Sequence, residues 1–376
     1  MKAIAVSPRD RRVQLIEHEA PRIDAPTHAK LRMLEVGVCG TDREICSFQY
    51  GTPPADSHHL VLGHESLAEV VEVGAEASRV QPGDLVVTMV RRPCHHDHCQ
   101  PCRGGRQDFC STGDFHERGI GGLHGFMTEL VVDDERYMHV VPAALREVAV
   151  LVEPLTIAEK ALIQVEHVQQ RLPWACAFTP GQPRQACHRA VVIGAGPVGL
   201  LGAMALVNAG FDTWVYSRER EPNPKAAVVQ AIGAHYVSAE DTSVEQLAAA
   251  VGNIDLVYEA TGASSVAFEV MKVLGVNGIF IFTGVPGRKA PISVDTDAIM
   301  RSLVLKNQVV FGTVNAGHDA FEAAVADLGR FQQRWPDAVA ALITGRHPLD
   351  KFDELLLGPA QGIKNVLQFS LGALAA

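Results

Sequence analysis

Apolar positions follow two different periods along this chain. From Lys2 to about Val141 they come in short alternating or β-branched runs cut by glycine and proline, such as AKLRMLEVG, SLAEVVEVG, DLVVTMV and MTELVVDD. Many short strands at this spacing predict a compact β-rich domain. From His188 the texture changes to apolar runs alternating with Ala-rich stretches of helical period: AVVIGAG, GLLGAMALVNAG, TWVYS, KAAVVQAIG, IDLVYEATG, VAFEVMKVL, GIFIFTG. That alternation predicts βαβ units around a parallel sheet buried on both faces. Between the two, Arg171 to Pro183 (RLPWACAFTPGQP) reads as a connector or a surface excursion. After Val310, DAFEAAVADLGRFQQRW predicts an amphipathic helix and NVLQFSL a last strand. A lone terminal pair is marginal in water, so these residues are expected to pack back onto the first domain. The expected division is therefore discontinuous, with residues 1–186 and 314–376 forming one domain and 187–313 inserted between them.

Composition narrows the function. The 376 residues are enough for two domains that each bury a core. Net charge is −10, from 33 Lys plus Arg against 43 Asp plus Glu, and no basic run tracks a phosphate backbone or an anionic membrane. Nucleic acid and membrane are not expected partners. The N-terminal residues contain no apolar h-region of a signal peptide, and a cytoplasmic location is expected. Ala190 to Phe211 holds a single polar side chain, Asn208, over 22 residues, a length that suffices to span a bilayer. Its five glycines and Pro197 have a better explanation.

In VVIGAGPVGLL, Gly194, Gly196 and Gly199 stand between an apolar strand and an Ala/Leu-rich helix that opens with Pro197 and Val198. The first glycine permits a tight turn, the second lets backbone approach a pyrophosphate, and the third allows close helix-to-strand packing. The alternative is a glycine-rich turn without a ligand, against which the following βα-like segments argue. The next strand ends in Ser217, Arg218, Glu219 and Arg220. A carboxylate at this point suits the ribose 2′-hydroxyl of NAD, whereas hydroxyl and guanidinium groups suit a 2′-phosphate. Ser217 and Arg218 favour NADP, Arg220 is a possible assistant, and Glu219 leaves dual specificity open. Thr261, Thr283 and Asn315 lie at later strand ends, where ligands collect in such sheets.

Six of the eight cysteines fall between Cys39 and Cys110, and half of the 16 histidines between His58 and His124. In a chain of this size such clustering points to metal more than to disulfides. PCHHDHCQPCRGGRQDFC brings Cys94, Cys99, Cys102 and Cys110 within one short lobe, enough for a closed tetrahedral zinc of structural type. A second set is dispersed: Cys39 in GVCGTD, His64 and Glu65 in LGHES, and Glu153 in LVEPL. A catalytic zinc needs a few mixed ligands and one open position. Spacing alone does not force these residues together, and a buried cysteine with a satisfied histidine is the commoner reading.

GVCGTD, LGHES, the four-cysteine lobe, VQPGDLV and VIGAGPVGLL, in this order, resemble the zinc-dependent medium-chain alcohol dehydrogenases over essentially the whole chain. The resemblance implies a GroES-like β-barrel catalytic domain beside a Rossmann domain, an α/β plus β architecture. Within that family RRPC, GRQDFC, HERGIGGLHGFM, LVEPLTIAEKA and GTVNAGHDAFE are similar to archaeal and bacterial glucose 1-dehydrogenases. By resemblance Cys39, His64 and Glu65 match catalytic zinc ligands, and Glu153 a position that completes the shell or contacts the sugar. Thr41 matches a hydroxyl near the reacting oxygen, Glu117 and Asn315 contacts to sugar hydroxyls, and Ser217 and Arg218 contacts to the 2′-phosphate. Two departures stand out. Relatives commonly carry the first lobe cysteine where this chain has His96, so Cys94, His96 and His98 compete for the fourth ligand, and a metal-free lobe is a further alternative. Ile157 replaces an acid found in some glucose dehydrogenases, which puts sugar specificity in question.

The implied reaction is oxidation of an aldose, glucose foremost, at C1 to the lactone, with hydride passing to NADP or NAD. A Cys39 thiolate with two carboxylates would leave a zinc shell formally negative and weaken its Lewis acidity, so Glu65 and Glu153 are not expected to share the inner shell throughout turnover. A polyol or threonine-type zinc dehydrogenase is the competing enzyme, and a non-catalytic NADPH-binding zinc protein the competing reading of another class. Relatives form dimers or tetramers, so a homo-oligomer is expected. Arg218→Ala is expected to raise the Michaelis constant for NADP much more than that for NAD. Equal effects in steady-state kinetics would contradict the phosphate role.

Overall fold

The computed structural model describes residues 1–173, 188–287 and 291–369, so Cys176 and Cys187 lie outside the described residues. The chain divides into one unit of Met1–Thr156, Asn315–Gly329 and Ile343–Ala376 and a second of Ile157–Val314 and Arg330–Leu342. Compared with the boundaries expected from sequence, the start of the second unit moves from 187 to Ile157, inside the helix Val152–Gln169. The helix His318–Arg334 is likewise shared, its last turn counting with the second unit.

In the first unit the central strand is His28–Gly37, whose inward positions Ala29, Leu31 and Met33 alternate before the run closes into continuous burial. It pairs antiparallel with Glu65–Val73, Leu130–Asp134 and Lys364–Gln368, and the last of these pairs parallel with Ile343–Pro348. The final strand thus returns to the middle of the N-terminal sheet. Val366 and Leu367 are fully buried there, and Leu367 with Phe369 closes a core built on Ile4, Leu31, Leu62, Phe126 and Met127. A small three-stranded sheet of Arg91–Arg92, His116–Arg118 and Gly122–Leu123 lies in the same unit and carries Glu117.

The second unit holds a six-stranded parallel sheet in the spatial order His235–Ser238, Asp212–Ser217, Arg189–Ile193, Leu256–Glu259, Ile279–Phe282, Val309–Gly312. In chain order that is 3-2-1-4-5-6, the doubly wound arrangement that binds dinucleotides where the order reverses. The central strands Arg189–Ile193 and Leu256–Glu259 are almost continuously buried, as a sheet covered on both faces requires. The apolar stretch Ala190 to Phe211 is resolved by this topology into strand, turn and the helix Pro197–Asn208. Among the described residues no helix is long and apolar enough to cross a membrane.

Candidate metal centres and cofactor site

Strand register builds the dispersed constellation. Gly37 pairs directly with Glu65 across adjacent strands. Cys39 follows two residues beyond Gly37 and His64 immediately precedes Glu65, so the two loops meet at the same end of the sheet. Gly37 is required here: a Cβ at that position would lie 2.0 Å from Glu65 Oε2. Gly63 also has a fixed role, since its φ of +90° and the packing of Met127 and Val36 against it exclude a side chain before His64. The ligand atoms of Cys39, His64 and Glu65 consequently lie within 4.8 Å of one another.

Two residues that the sequence reading passed over hold this cluster. Asp42, fully buried in the first turn of the helix Gly40–Cys46, accepts from the Cys39 backbone N–H at 2.9 Å. Its other oxygen comes to 3.4 Å from His64 Nδ1, an ion-pair approach without hydrogen-bond alignment, and both atoms are buried with no other partner. Burial opposes a charge on His64, and the Asp42 carboxylate outweighs it, raising the ring's pKa well above its ordinary value. A carboxylate facing one ring nitrogen leaves the opposite nitrogen as the donor, the usual support of a ligating histidine. Lys364, from the final strand, places Nζ 2.7 and 2.6 Å from the two Glu65 oxygens and 3.3 Å from the Val38 carbonyl. Burial works against the Lys364 charge, but Glu65 and Cys39 raise its pKa above the ordinary lysine value. The capping-box contact of Asp42, three residues after Cys39, has a local signal in GVCGTD; a lysine at the far end of the chain carries none.

Glu153 stands outside the three-atom cluster, in the first turn of Val152–Gln169. Its carboxyl is pushed up to about 7, desolvation being the largest cause, with Glu65 adding to it and His64 and Lys364 opposing. Thr41 occupies the first turn of the helix after Cys39 and is partly exposed.

The four-cysteine lobe is a second centre. Cys94, Cys99, Cys102 and Cys110 bring their sulfurs within 4.8 Å of one another, so Cys94 supplies the fourth donor in this geometry. His96 is engaged elsewhere, 2.9 Å from Asp114. The Ser111 hydroxyl and backbone N–H groups favour the Cys99 thiolate, lowering its pKa to about 5. Cys46 is a buried thiol pushed up to about 12 by desolvation and belongs to the apolar core.

Glu117 lies directly opposite Arg91 in the small sheet. Arg91 donates to Glu117 Oε1 through Nε at 3.0 Å and Nη2 at 2.9 Å, and Asn315 Nδ2 donates to the same oxygen at 3.1 Å. The two residues matched to sugar contacts are therefore hydrogen-bonded to each other across 198 positions of sequence.

In the second unit Gly194 has φ +100° and Gly196 caps the helix Pro197–Asn208. A Cβ on Gly199 would sit 2.1 Å from the Gly194 carbonyl oxygen, so only glycine lets helix and turn pack this closely. Val198 lies in the helix's first turn, where unpaired N–H groups point at an incoming anion. Ser217 ends its strand and Arg218 follows, exposed, its guanidinium making no hydrogen bond or ion pair among the described residues. Its neighbours are occupied: Glu219 pairs with Lys225 at 2.5 Å, and Arg220 with Asp241 at 2.8 Å. Glu259, buried and unforeseen, accepts the backbone N–H groups of Thr261, Gly262 and Gly284 at 2.7, 2.8 and 3.2 Å and so shapes the strand-end loops. The Thr261 hydroxyl donates to the same carboxylate at 2.6 Å, and that of Thr283 to the Glu259 carbonyl at 2.6 Å.

Comparison with known proteins agrees with both halves. Residues 25–143 match the model of the alcohol dehydrogenase GroES-like domain, and residues 146–369 that of the glucose dehydrogenase C-terminus. The chain is 37% identical over 369 residues to the glucose 1-dehydrogenase of Methanocella arvoryzae, covering 98% of this chain and 99% of that one. It is 38% identical over 371 residues to the glucose 1-dehydrogenase of Thermoproteus tenax, with the same coverage. Among solved structures, glucose dehydrogenase of Haloferax mediterranei in complex with NADP, Zn and gluconolactone superposes with a TM-score of 0.85 at 32% identity, over 98% of this chain and 99% of that one. A GroES-like β-rich unit, a doubly wound parallel sheet and these full-length matches make the chain a member of the zinc-dependent medium-chain dehydrogenase family, in its glucose dehydrogenase branch.

Proposed function

We propose that this protein oxidises an aldose, glucose foremost, at C1 to the lactone, reducing NADP, with one catalytic and one structural zinc per chain. The observation that carries the reading is the convergence of Cys39, His64 and Glu65 within 4.8 Å. One sulfur, one nitrogen and one oxygen donor leave a coordination position open, whereas four clustered thiols close theirs. Both sets therefore fit zinc, in different roles. Zinc at the mixed site supplies Lewis acidity that lowers a hydroxyl's pKa toward neutrality, and NADP supplies the hydride acceptor.

The chain's own residues do the rest. Asp42 fixes the His64 ring, and Lys364 offsets the charge of Glu65, so the donor set with its lysine carries one net negative charge when Cys39 is a thiolate and His64 is neutral. Glu153 stays outside this inner set and serves substrate or water. Thr41 relays the proton leaving the C1 hydroxyl as an orienting hydrogen-bond link. Glu117 and Asn315 receive sugar hydroxyls. The unpaired guanidinium of Arg218, beside an occupied Glu219 and Arg220, supports preference for a 2′-phosphate.

We also propose self-association through the second unit. Val309–Gly312 is the terminal strand of its sheet, and the neighbouring-in-sequence helix Thr296–Leu305 buries no residue while exposing Met300, Val304 and Leu305. A cytoplasmic setting suits six described cysteines that are all free.

Initial rates over glucose, galactose, xylose, sorbitol and threonine with NAD and NADP test the activity. Glucose with NADP is expected to give the highest kcat/KM, and absence of activity on every aldose would sink the reading. Metal analysis should find about two zinc per chain, with Cys39→Ser and Cys94→Ser each losing about one; full retention in either variant contradicts the assigned ligand. Lys364→Met leaves the buried Glu65 carboxylate uncompensated and is expected to destabilise the metal-free protein by about 3–5 kcal/mol in denaturant unfolding. An unchanged midpoint would show that the pair contributes nothing.

A further inference from the structure

Arg91 has no part in the reaction outlined above, yet it is buried beside one of the residues that does. An arginine usually meets a carboxylate fork to fork, occupying both oxygens. Here both Arg91 donors, at 3.0 and 2.9 Å, and the Asn315 amide at 3.1 Å converge on Glu117 Oε1 alone. Glu117 Oε2 accepts from no protein group among the described residues. Each donor is itself held. The Arg91 guanidinium lies 3.6 Å from the centroid of the Phe115 ring and directs Nη1 at the Asp108 carbonyl at 3.5 Å. The Asn315 side-chain oxygen accepts from the Ala316 N–H at 2.9 Å, which orients Nδ2 toward Glu117.

We propose that Arg91 is a positioning residue for the sugar: it locks the Glu117 carboxylate so that Oε2 is presented as the acceptor for one substrate hydroxyl. Three donors saturate Oε1, and because both Arg91 donors, Nε and Nη2, end on that one oxygen, the lone pairs of the second remain for the ligand. The direct strand pairing of Arg91 with Glu117 fixes the carboxylate from a rigid element instead of a loop. The inference rests on the aldose-oxidising reading and extends it to Arg91, a buried residue to which that reading assigns no role.

The test compares wild type with Arg91→Met, Arg91→Lys and Glu117→Gln, using NADP with glucose and its 2-, 3-, 4- and 6-deoxy analogues. In wild type one analogue is expected to lose about 100-fold or more in kcat/KM, marking the hydroxyl that Glu117 receives. Arg91→Met should raise the sugar KM about 10- to 100-fold with kcat within about threefold, the NADP KM unchanged and zinc retained. The penalty for that same analogue should shrink toward its value in Glu117→Gln. Arg91→Lys keeps the charge but lacks the paired N–H donors, and is expected to fall between wild type and Arg91→Met; it carries the same readouts if the methionine variant does not fold. A wild-type sugar KM and analogue penalty in both Arg91 variants would overturn the inference, as would a parallel loss of kcat, both KM values and zinc. Wild type that oxidises no aldose removes the underlying reading as well, whereas active wild type with unaffected variants removes only the role of Arg91.

Discussion

The buried ion pair between Lys364 and Glu65 is the constraint on which the first unit turns. Both side chains are almost fully buried, at 2% and 1% exposure, and neither tolerates isolation there. Satisfying Glu65 demands that the last strand of the chain lie beside the first long one, with Lys364 reaching back over Gly37 and Val38. The same geometry sets the metal-site electrostatics. A thiolate, an imidazole and a carboxylate with a lysine on it form a less negative donor set than three anions would, which preserves Lewis acidity at the open position. Fold closure and chemistry thus share one contact.

Glycines and buried carboxylates prepare each site for what it is to hold. Gly37 admits the Glu65 carboxylate between two strands, and Gly199 lets a helix close on the turn at Gly194. Asp42, Glu259 and Glu117 then take up donors around them: a backbone N–H, a row of loop N–H groups, and a guanidinium with an amide. In each case a buried or half-buried carboxylate is hydrogen-bonded by its neighbours, which holds those groups in place.

Local signals are legible in the sequence because they depend on short stretches of chain. The glycine fingerprint needs only a strand, a turn and a helix in succession, and the four-cysteine lobe closes over 17 residues from Cys94 to Cys110. The dispersed set is different in kind. Nothing in the spacing of Cys39 and His64 brings them together; the pairing of Gly37 with Glu65 does. The competition between Cys94 and His96 also turned on tertiary detail, since Asp114 engages His96. Glu153, matched to the zinc shell by resemblance, stands in the first turn of its own helix and outside the cluster of Cys39, His64 and Glu65.

What the sequence determined by itself was period and local chemistry: a β-rich half, a βαβ half, a dinucleotide turn and a thiolate lobe. Those features follow from side-chain alternation, glycine geometry and ligand spacing, all of which act over a few residues. What tertiary structure decided was every partnership across distance: Lys364 with Glu65, Asp42 with His64, Asn315 with Glu117, and the freedom of Arg218 beside an occupied Glu219. Such pairs depend on strand register and on which buried charges find each other, and a linear pattern records neither.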